Sequence, residues 1–275
     1  MIASLASLSY LVMTALGLRG GLRGPRRDEV DWEGRVLLGL FALAAALLFG
    51  PLYGISITLA VMIHEYGHVA AYRVIGHHDA RFRMLPLVGG VAISDRLPDT
   101  EEESFFVSLM GPAICIAPMV AAFALHHLLL TSSSLAWTVI DLFGRGGWDL
   151  AVDACWTFGT VMGAMNALNL LPAWPLDGGR CLRNVANAFN RGLARHLTMA
   201  MVGAVILAAL LLQSLGLLFF ALIGAQSAMH DGGDFGQRRM ARGRAALAFA
   251  AWAAVLATHL LGGWPLIERI AGRIL

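Results

Sequence analysis

From Val36 to about Gly76 the chain is an almost unbroken apolar run, too long for a single helix, and nothing else in the sequence restricts the possible folds as much. A helix that crosses a bilayer needs about 20 mostly apolar residues, so this run holds two segments. Gly50-Pro51 and Gly54 mark the division, because glycine and proline punctuate helices. Further apolar stretches lie at about Phe105–Leu130, Val152–Leu171, Leu197–Gln213, Leu215–Met229 and Ala245–Leu261, and Ile2–Leu18 just qualifies as a first span or a surface helix. Of the 275 residues 58% are hydrophobic and 14% charged, against about 25% charged in a soluble domain. A soluble protein of this composition could not cover its surface. The expected fold is therefore an all-α polytopic membrane protein with about 6–7 transmembrane helices. A net charge of +2 provides no field for a polyanion, which excludes nucleic acid as a partner. Cys115, Cys155 and Cys181 are scattered, without a CxxC pair, which argues against a disulfide framework or a zinc ribbon.

Arginine supplies every basic residue, and its placement sets an orientation. Segments Arg19–Arg35, Arg81–Arg96, Arg180–Arg195 and Arg238–Arg244 fall on one side of the spans above, while the loop Thr131–Asp149 holds only Arg145. Cytoplasmic loops are enriched in Lys and Arg, so the basic side is read as cytoplasmic; Arg269 and Arg273 alone dissent.

The third apolar segment reads Ile63-His64-Glu65-Tyr66-Gly67-His68-Val69. Residues four apart on a helix differ by about 40° in azimuth, so His64 and His68 project from one face at chelating distance. Neutral imidazole is a good zinc ligand, and Glu65 sits about 60° from His68, where it can take a proton from a water polarised by the metal. Ionisable groups inside a membrane span are costly and pair, ligate or face water. The ordinary alternative is a set of interhelical hydrogen bonds.

A catalytic zinc takes three protein ligands and keeps one open position. One source of the third ligand is the acidic loop Asp99-Thr100-Glu101-Glu102-Glu103, which reads better as a solvated charge run at the foot of a span. The other is Asn169-Leu-Leu-Pro172-Ala-Trp-Pro175-Leu-Asp177-Gly178-Gly179-Arg180. There two prolines break the helix, the chain becomes extended, and Asp-Gly-Gly turns sharply back at the depth of His68. Asp177 is the preferred ligand, and a turn-forming Asp before Gly is the competing reading.

HEYGH within a transmembrane segment, followed by NLLPAWPLDGGR, resembles the site-2 protease family of intramembrane zinc metalloproteases. The compact subgroup that processes sporulation sigma factors, without PDZ or CBS domains, is especially similar. The resemblance covers roughly Pro51 to Arg183, and it extends to Leu85-Pro-Leu-Val-Gly89-Gly90-Val-Ala, similar to the family's membrane-associated strand, and to Gly111-Pro112. It implies one catalytic Zn2+ held by His64, His68 and Asp177, with Glu65 as the base. The division that follows is 1–35, an N-terminal hydrophobic segment with a basic cytoplasmic loop; 36–183, the metalloprotease core; and 184–275, the C-terminal transmembrane helices. The implied location is the bacterial inner membrane, with the active site towards the cytoplasmic side.

The expected reaction is hydrolysis of a peptide bond within or near a transmembrane segment of a membrane-anchored substrate protein. Zinc activates water and polarises the carbonyl, and Glu65 relays the proton. Asn169 is a candidate for holding the substrate backbone or the developing oxyanion, or else it caps the helix end. Asn166, one turn earlier, reads as an interhelical contact. A strand or hairpin near 85–94, centred on Gly89 and Gly90, would hold an unwound substrate by strand pairing, with an ordinary buried loop as the alternative; Pro175 is a further substrate-binding candidate. His77, His78 and His230 read as interfacial and solvated. Two other functions fit parts of the pattern. A metal-ion-handling transporter would use the same ligands without needing Glu65, and a catalytically silent membrane scaffold would need neither.

Overall fold

The computed structural model describes residues 12, 14–22, 32–85, 89–230 and 237–274. The expected first span, Ile2–Leu18, therefore lies mostly outside the described residues, as do positions 86–88 ahead of Gly89. The elements run α1 (Trp32–Phe49), α2 (Pro51–Val74), β1 (Arg81–Leu85), β2 (Gly89–Ile93), α3 (Glu101–Thr131), α4 (Ser133–Asn169), α5 (Asp177–Phe189), α6 (Arg191–Leu211), α7 (Leu215–His230) and α8 (Arg242–Ile274). Helices Glu101–Thr131, Arg191–Leu211 and Arg242–Gly272 are long and apolar enough to cross a bilayer, and Gly34–Phe49 and Leu215–Met229 are apolar but shorter. The protein is a helical integral membrane protein, with one two-stranded sheet among the described residues. Three qualifying helices are fewer than the spans expected from the apolar runs. In α2 the residues His64, Glu65 and His68 dilute an otherwise apolar helix, and α4 carries Asp141, Arg145, Asp149 and Asp153 as well as Asn166 and Asn169.

Local chemistry accounts for the boundaries. Gly50 separates α1 from α2 at φ 87°, a left-handed conformation that glycine adopts without strain, and Pro51 then opens α2 at a position where its missing N–H is no loss. Thr100 and Glu103 form a reciprocal capping box at the start of α3: the Thr100 hydroxyl accepts from the Glu103 N–H at 3.2 Å, and the Glu103 carboxylate accepts from the Thr100 N–H at 3.1 Å. The loop expected at Thr131–Asp149 is instead mostly helical. Ser132 caps a helix that continues through a single break at Gly144 (φ 72°, ψ 174°) into the stretch that ends at Asn169. The C-terminal span is also longer than the apolar run Ala245–Leu261, reaching Ile274 with Pro265 inside it.

One hydrophobic cluster joins elements far apart in sequence: Phe105, Leu109 and Ile116 of α3 pack with Leu170, with Cys181 of α5, and with Trp252 and Val255 of α8. A second places Ala60 of α2 against Cys115 and Met119 of α3 and Met162 of α4. Helices approach closely where a side chain would collide: a Cβ on Gly67 would strike the Met110 carbonyl of α3, and a Cβ on Gly163 would strike the backbone of Gly262 and Gly263 in α8.

β1 and β2 pair antiparallel, with Met84 opposite Gly90 and Leu85 opposite Gly89, so the strand segment expected near 85–94 is the second arm of a hairpin that begins at Arg81. His77, expected to be solvated, is buried at the hairpin's base. Its Nδ1–H donates to the Ser94 hydroxyl at 2.8 Å, and that hydroxyl donates to Asp79 at 3.0 Å.

Within the acidic segment at the foot of α3, Glu101 departs from the solvated face expected there, while Asp99 is exposed. Glu101 is 3% exposed. Its carboxylate accepts from the Met240 N–H at 3.1 Å and from the Asn187 amide, and so ties α3 to α5 and to the chain just ahead of α8. A burial pattern of this kind depends on partners more than eighty residues away, which no local charge pattern reveals.

Candidate metal centre

The helical geometry of α2 places the His64 and His68 rings edge to face, with centroids 4.7 Å apart and their Nε2 atoms 3.1 Å apart. Each ring is held through its other nitrogen. The His68 Nδ1–H donates to the Val107 carbonyl of α3 at 2.7 Å. A carbonyl can only accept, so the proton of neutral His68 is on Nδ1 and its Nε2 lone pair is free. His64 Nδ1 lies 2.7 Å from Asn166 Oδ1. The Asn166 amide nitrogen is committed to the Met162 carbonyl at 2.8 Å, which turns its oxygen towards His64 and makes His64 Nδ1 the donor. The two polar partners thus fix both tautomers for ligation.

Asp177 completes the cluster. Its Oδ2 lies 3.1 Å from His64 Nε2 and 3.4 Å from His68 Nε2. In place of the sharp turn expected after it, Asp177 is the first residue of α5. Gly178 and Gly179 are inside the helix because the backbone presses on them: a Cβ on Gly178 would overlap the Leu170 carbonyl, and one on Gly179 the Ala173 carbonyl. With both imidazoles neutral, as metal ligation requires, two Nε2 lone pairs and a carboxylate oxygen converge on one point. Three acceptors at this spacing repel unless a cation lies between them. Zinc bound at about 2.0–2.1 Å in a tetrahedron separates its ligand atoms by about 3.3 Å, which the 3.1, 3.1 and 3.4 Å separations match. His64, His68 and Asp177 are the group that could hold a metal ion among the described residues.

Glu65 is 7% exposed and lines a cleft of about 1380 Å³ that also reaches His64, His68 and Asp177. Strand β2 lies directly against it, since a Cβ on Gly90 would overlap the Glu65 side chain. Gly90, Asn169 and Pro175 all line the same cleft, while the side-chain surroundings of Gly89 lie outside the described residues. No hydrogen bond engages the Asn169 amide among the described residues.

Two groups at the centre escape the motif. Asn166 is an interhelical contact, as expected, yet its partner is a site histidine. The Val107 carbonyl is main chain and has no residue-type signature at all. An asparagine within an apolar run, one turn before Asn169, is the sequence signal that pointed to the first of these.

Residues 53–213, from within α2 to just beyond α6, match peptidase family M50. The chain belongs to that family. A zinc metalloprotease of Methanocaldococcus jannaschii is 27% identical over 150 residues, covering 54% of this chain and 38% of the relative. Stage IV sporulation protein FB of Bacillus subtilis is 28% identical over 140 residues, covering 50% and 42%. The chain thus spans about two-fifths of the length of these relatives. Among solved structures, the site-2 protease from Methanocaldococcus jannaschii is similar with a TM-score of 0.44 and 20% identity, covering 72% of this chain and 88% of that one. As an M50 member the chain carries the HExxH pair of α2 and the Asp177 helix start inside the matched region, whereas α7 and α8 lie beyond it.

Proposed function

We propose that the protein is an intramembrane zinc metalloprotease that hydrolyses peptide bonds within or near transmembrane segments of membrane-anchored substrates. The convergence of His64 Nε2, His68 Nε2 and Asp177 Oδ2 beside Glu65 on a cleft wall carries this reading. M50 membership supports it. When bound, zinc supplies a Lewis acid that polarises the scissile carbonyl and lowers the pKa of water. His64, His68 and Asp177 hold the ion. The Glu65 carboxylate accepts the proton of the attacking water and returns it to the leaving amine nitrogen. Glu65 is 7% exposed, and that burial strengthens each of these interactions by limiting bulk water.

A helical substrate must open its internal hydrogen bonds before an amide can reach this centre. Strand β2 pairs only with β1 among the described residues, so its other edge is available for strand addition beside Glu65. Gly89 and Gly90 allow that close approach. The free Asn169 amide and Pro175 bound the other side of the cleft and hold the extended segment. The arginine distribution supports a cytoplasmic opening, about 6–7 spans in a bacterial inner membrane, and a core at 36–183 flanked by segments 1–35 and 184–275.

The test is reconstitution of the full chain with a membrane-anchored reporter substrate. Glu65→Gln is expected to keep one zinc per chain and to lose cleavage by a factor of about 10² or more. Normal processing by that variant, or zinc-coupled ion flux with no cleavage by the parent, would overturn the reading.

A further inference from the structure

Helix α8 lies outside the region that matches the family, yet it contacts the backbone behind two of the three candidate ligands. Trp252 and His259 are seven residues apart, two helical turns, and so share one face of α8. The Trp252 Nε1–H donates to the Leu170 carbonyl at 3.1 Å, and the His259 Nε2–H donates to the Pro112 carbonyl at 2.9 Å; both side chains are buried.

The two acceptors stand at equivalent places. Leu170 ends α4, and its carbonyl is packed against Gly178, the residue after Asp177. Pro112 follows Gly111, where a Cβ would overlap the His68 imidazole. Each hydrogen bond therefore lands on the backbone that a candidate ligand leans against. Around Pro112, α3 is also less able to hold itself. Proline has no N–H to give the Ser108 carbonyl, so one rung of the helical ladder is absent beside Val107, whose carbonyl orients His68.

The residue type argues for a role beyond packing. His259 is 0% exposed, and its Nδ1 has no hydrogen-bond partner among the described residues. An imidazole buried in a membrane helix with one nitrogen unpaired is worse filler than leucine. What it provides is a donor to Pro112. Gly262 and Gly263 bring α8 against Gly163 of α4 one turn further on, which fixes the height at which the donors meet the core.

We infer that α8 is a brace for the metal centre, with Trp252 and His259 as positioning residues for Asp177 and His68. The inference rests on the metalloprotease reading, and zinc affinity is the readout that separates the two. The full chain is purified in detergent, and zinc retention is measured by competition with a chromogenic chelator. Thermal unfolding of the zinc-free protein and reporter cleavage are followed in parallel. Trp252→Phe and His259→Leu are expected to weaken zinc retention about tenfold, while the lost buried hydrogen bond lowers the apo unfolding temperature by only about 2–8 °C. His259→Gln is expected to restore it to within about threefold, because its amide nitrogen reaches the position of Nε2. Unchanged zinc affinity in Trp252→Phe and His259→Leu overturns the brace, as does a His259→Gln variant as weak as His259→Leu. If His259→Leu does not fold, Trp252→Phe and His259→Gln decide the matter on the same readout. A parent that binds no zinc overturns the protease reading and the brace together.

Discussion

Asn166 Oδ1 lies 2.7 Å from His64 Nδ1, a contact between residues 102 positions apart in the chain. Because the Asn166 amide nitrogen is tied to the Met162 carbonyl, its oxygen faces the histidine, and the other nitrogen of His64 is directed at Asp177. Asn166→Ala should therefore lower zinc affinity by about 10–100-fold while leaving the three candidate ligands in place. Chelator competition on the purified protein measures this, and unchanged affinity would remove Asn166 from the site.

Gly111 and Gly203 are both helical glycines, and they should respond in opposite ways to alanine. A Cβ at Gly111 meets the His68 imidazole, whereas Gly203 faces open space. Gly111→Ala should displace His68 and cut cleavage and zinc retention by more than about tenfold. Gly203→Ala should leave both intact and raise stability by up to about 1 kcal/mol, the usual gain of alanine over glycine in a helix. Thermal unfolding in detergent, paired with reporter cleavage, distinguishes the two outcomes.

Glu101 connects three parts of the fold through one buried carboxylate, which accepts from Met240 and Asn187. Glu101→Ala leaves those donors unpaired and should destabilise the protein by about 1–3 kcal/mol. The damage should concentrate where α8 begins, so hydrogen exchange should rise first at the Met240 amide. A uniform rise across all helices would count against this local role.

Asp79 sets the pH response of the hairpin that carries Gly90. The Asp95 N–H, donating at 2.6 Å, and the Ser94 hydroxyl, at 3.0 Å, hold its carboxyl below the ordinary carboxylate value. A depressed folded-state pKa contributes stability that is present above the unfolded value, 3.8, and is lost as the pH falls through the lower folded value. Exchange protection of the Asp95 amide should accordingly hold above about pH 4 and collapse below it. Asp79→Asn should flatten that dependence, and an unaltered profile in the variant would assign the effect to another group.

Much of the centre was legible because its chemistry is local. HExxH is a five-residue pattern whose geometry follows from helical periodicity alone, and the Gly50-Pro51 break follows from two residue types with special backbone properties. The Asp177 segment was legible in composition but not in shape. Asp-Gly-Gly has the residues of a turn, yet the Leu170 and Ala173 carbonyls press so closely that glycine is required inside a helix. The solvated reading of Asp99–Glu103 failed at Glu101 for a similar reason: charge in a short window says nothing about donors that arrive from α5 and from the chain ahead of α8.

By itself, the sequence determined that the chain is a membrane protein, that two histidines and a glutamate share one helix, and which aspartate could join them. The first two depend on composition and on spacings of a few residues, and the aspartate on a proline-broken segment at the depth of His68 and on the motif that resembles the family's. Tertiary structure alone decided which nitrogen of each histidine is free, since that depends on the Val107 carbonyl and the Asn166 amide on other helices. It also decided that α8, with no motif of its own, reaches the backbone behind the site through Trp252 and His259. Hydrogen bonds to main-chain carbonyls leave no mark on the acceptor's side chain, so only the packed helices could reveal them.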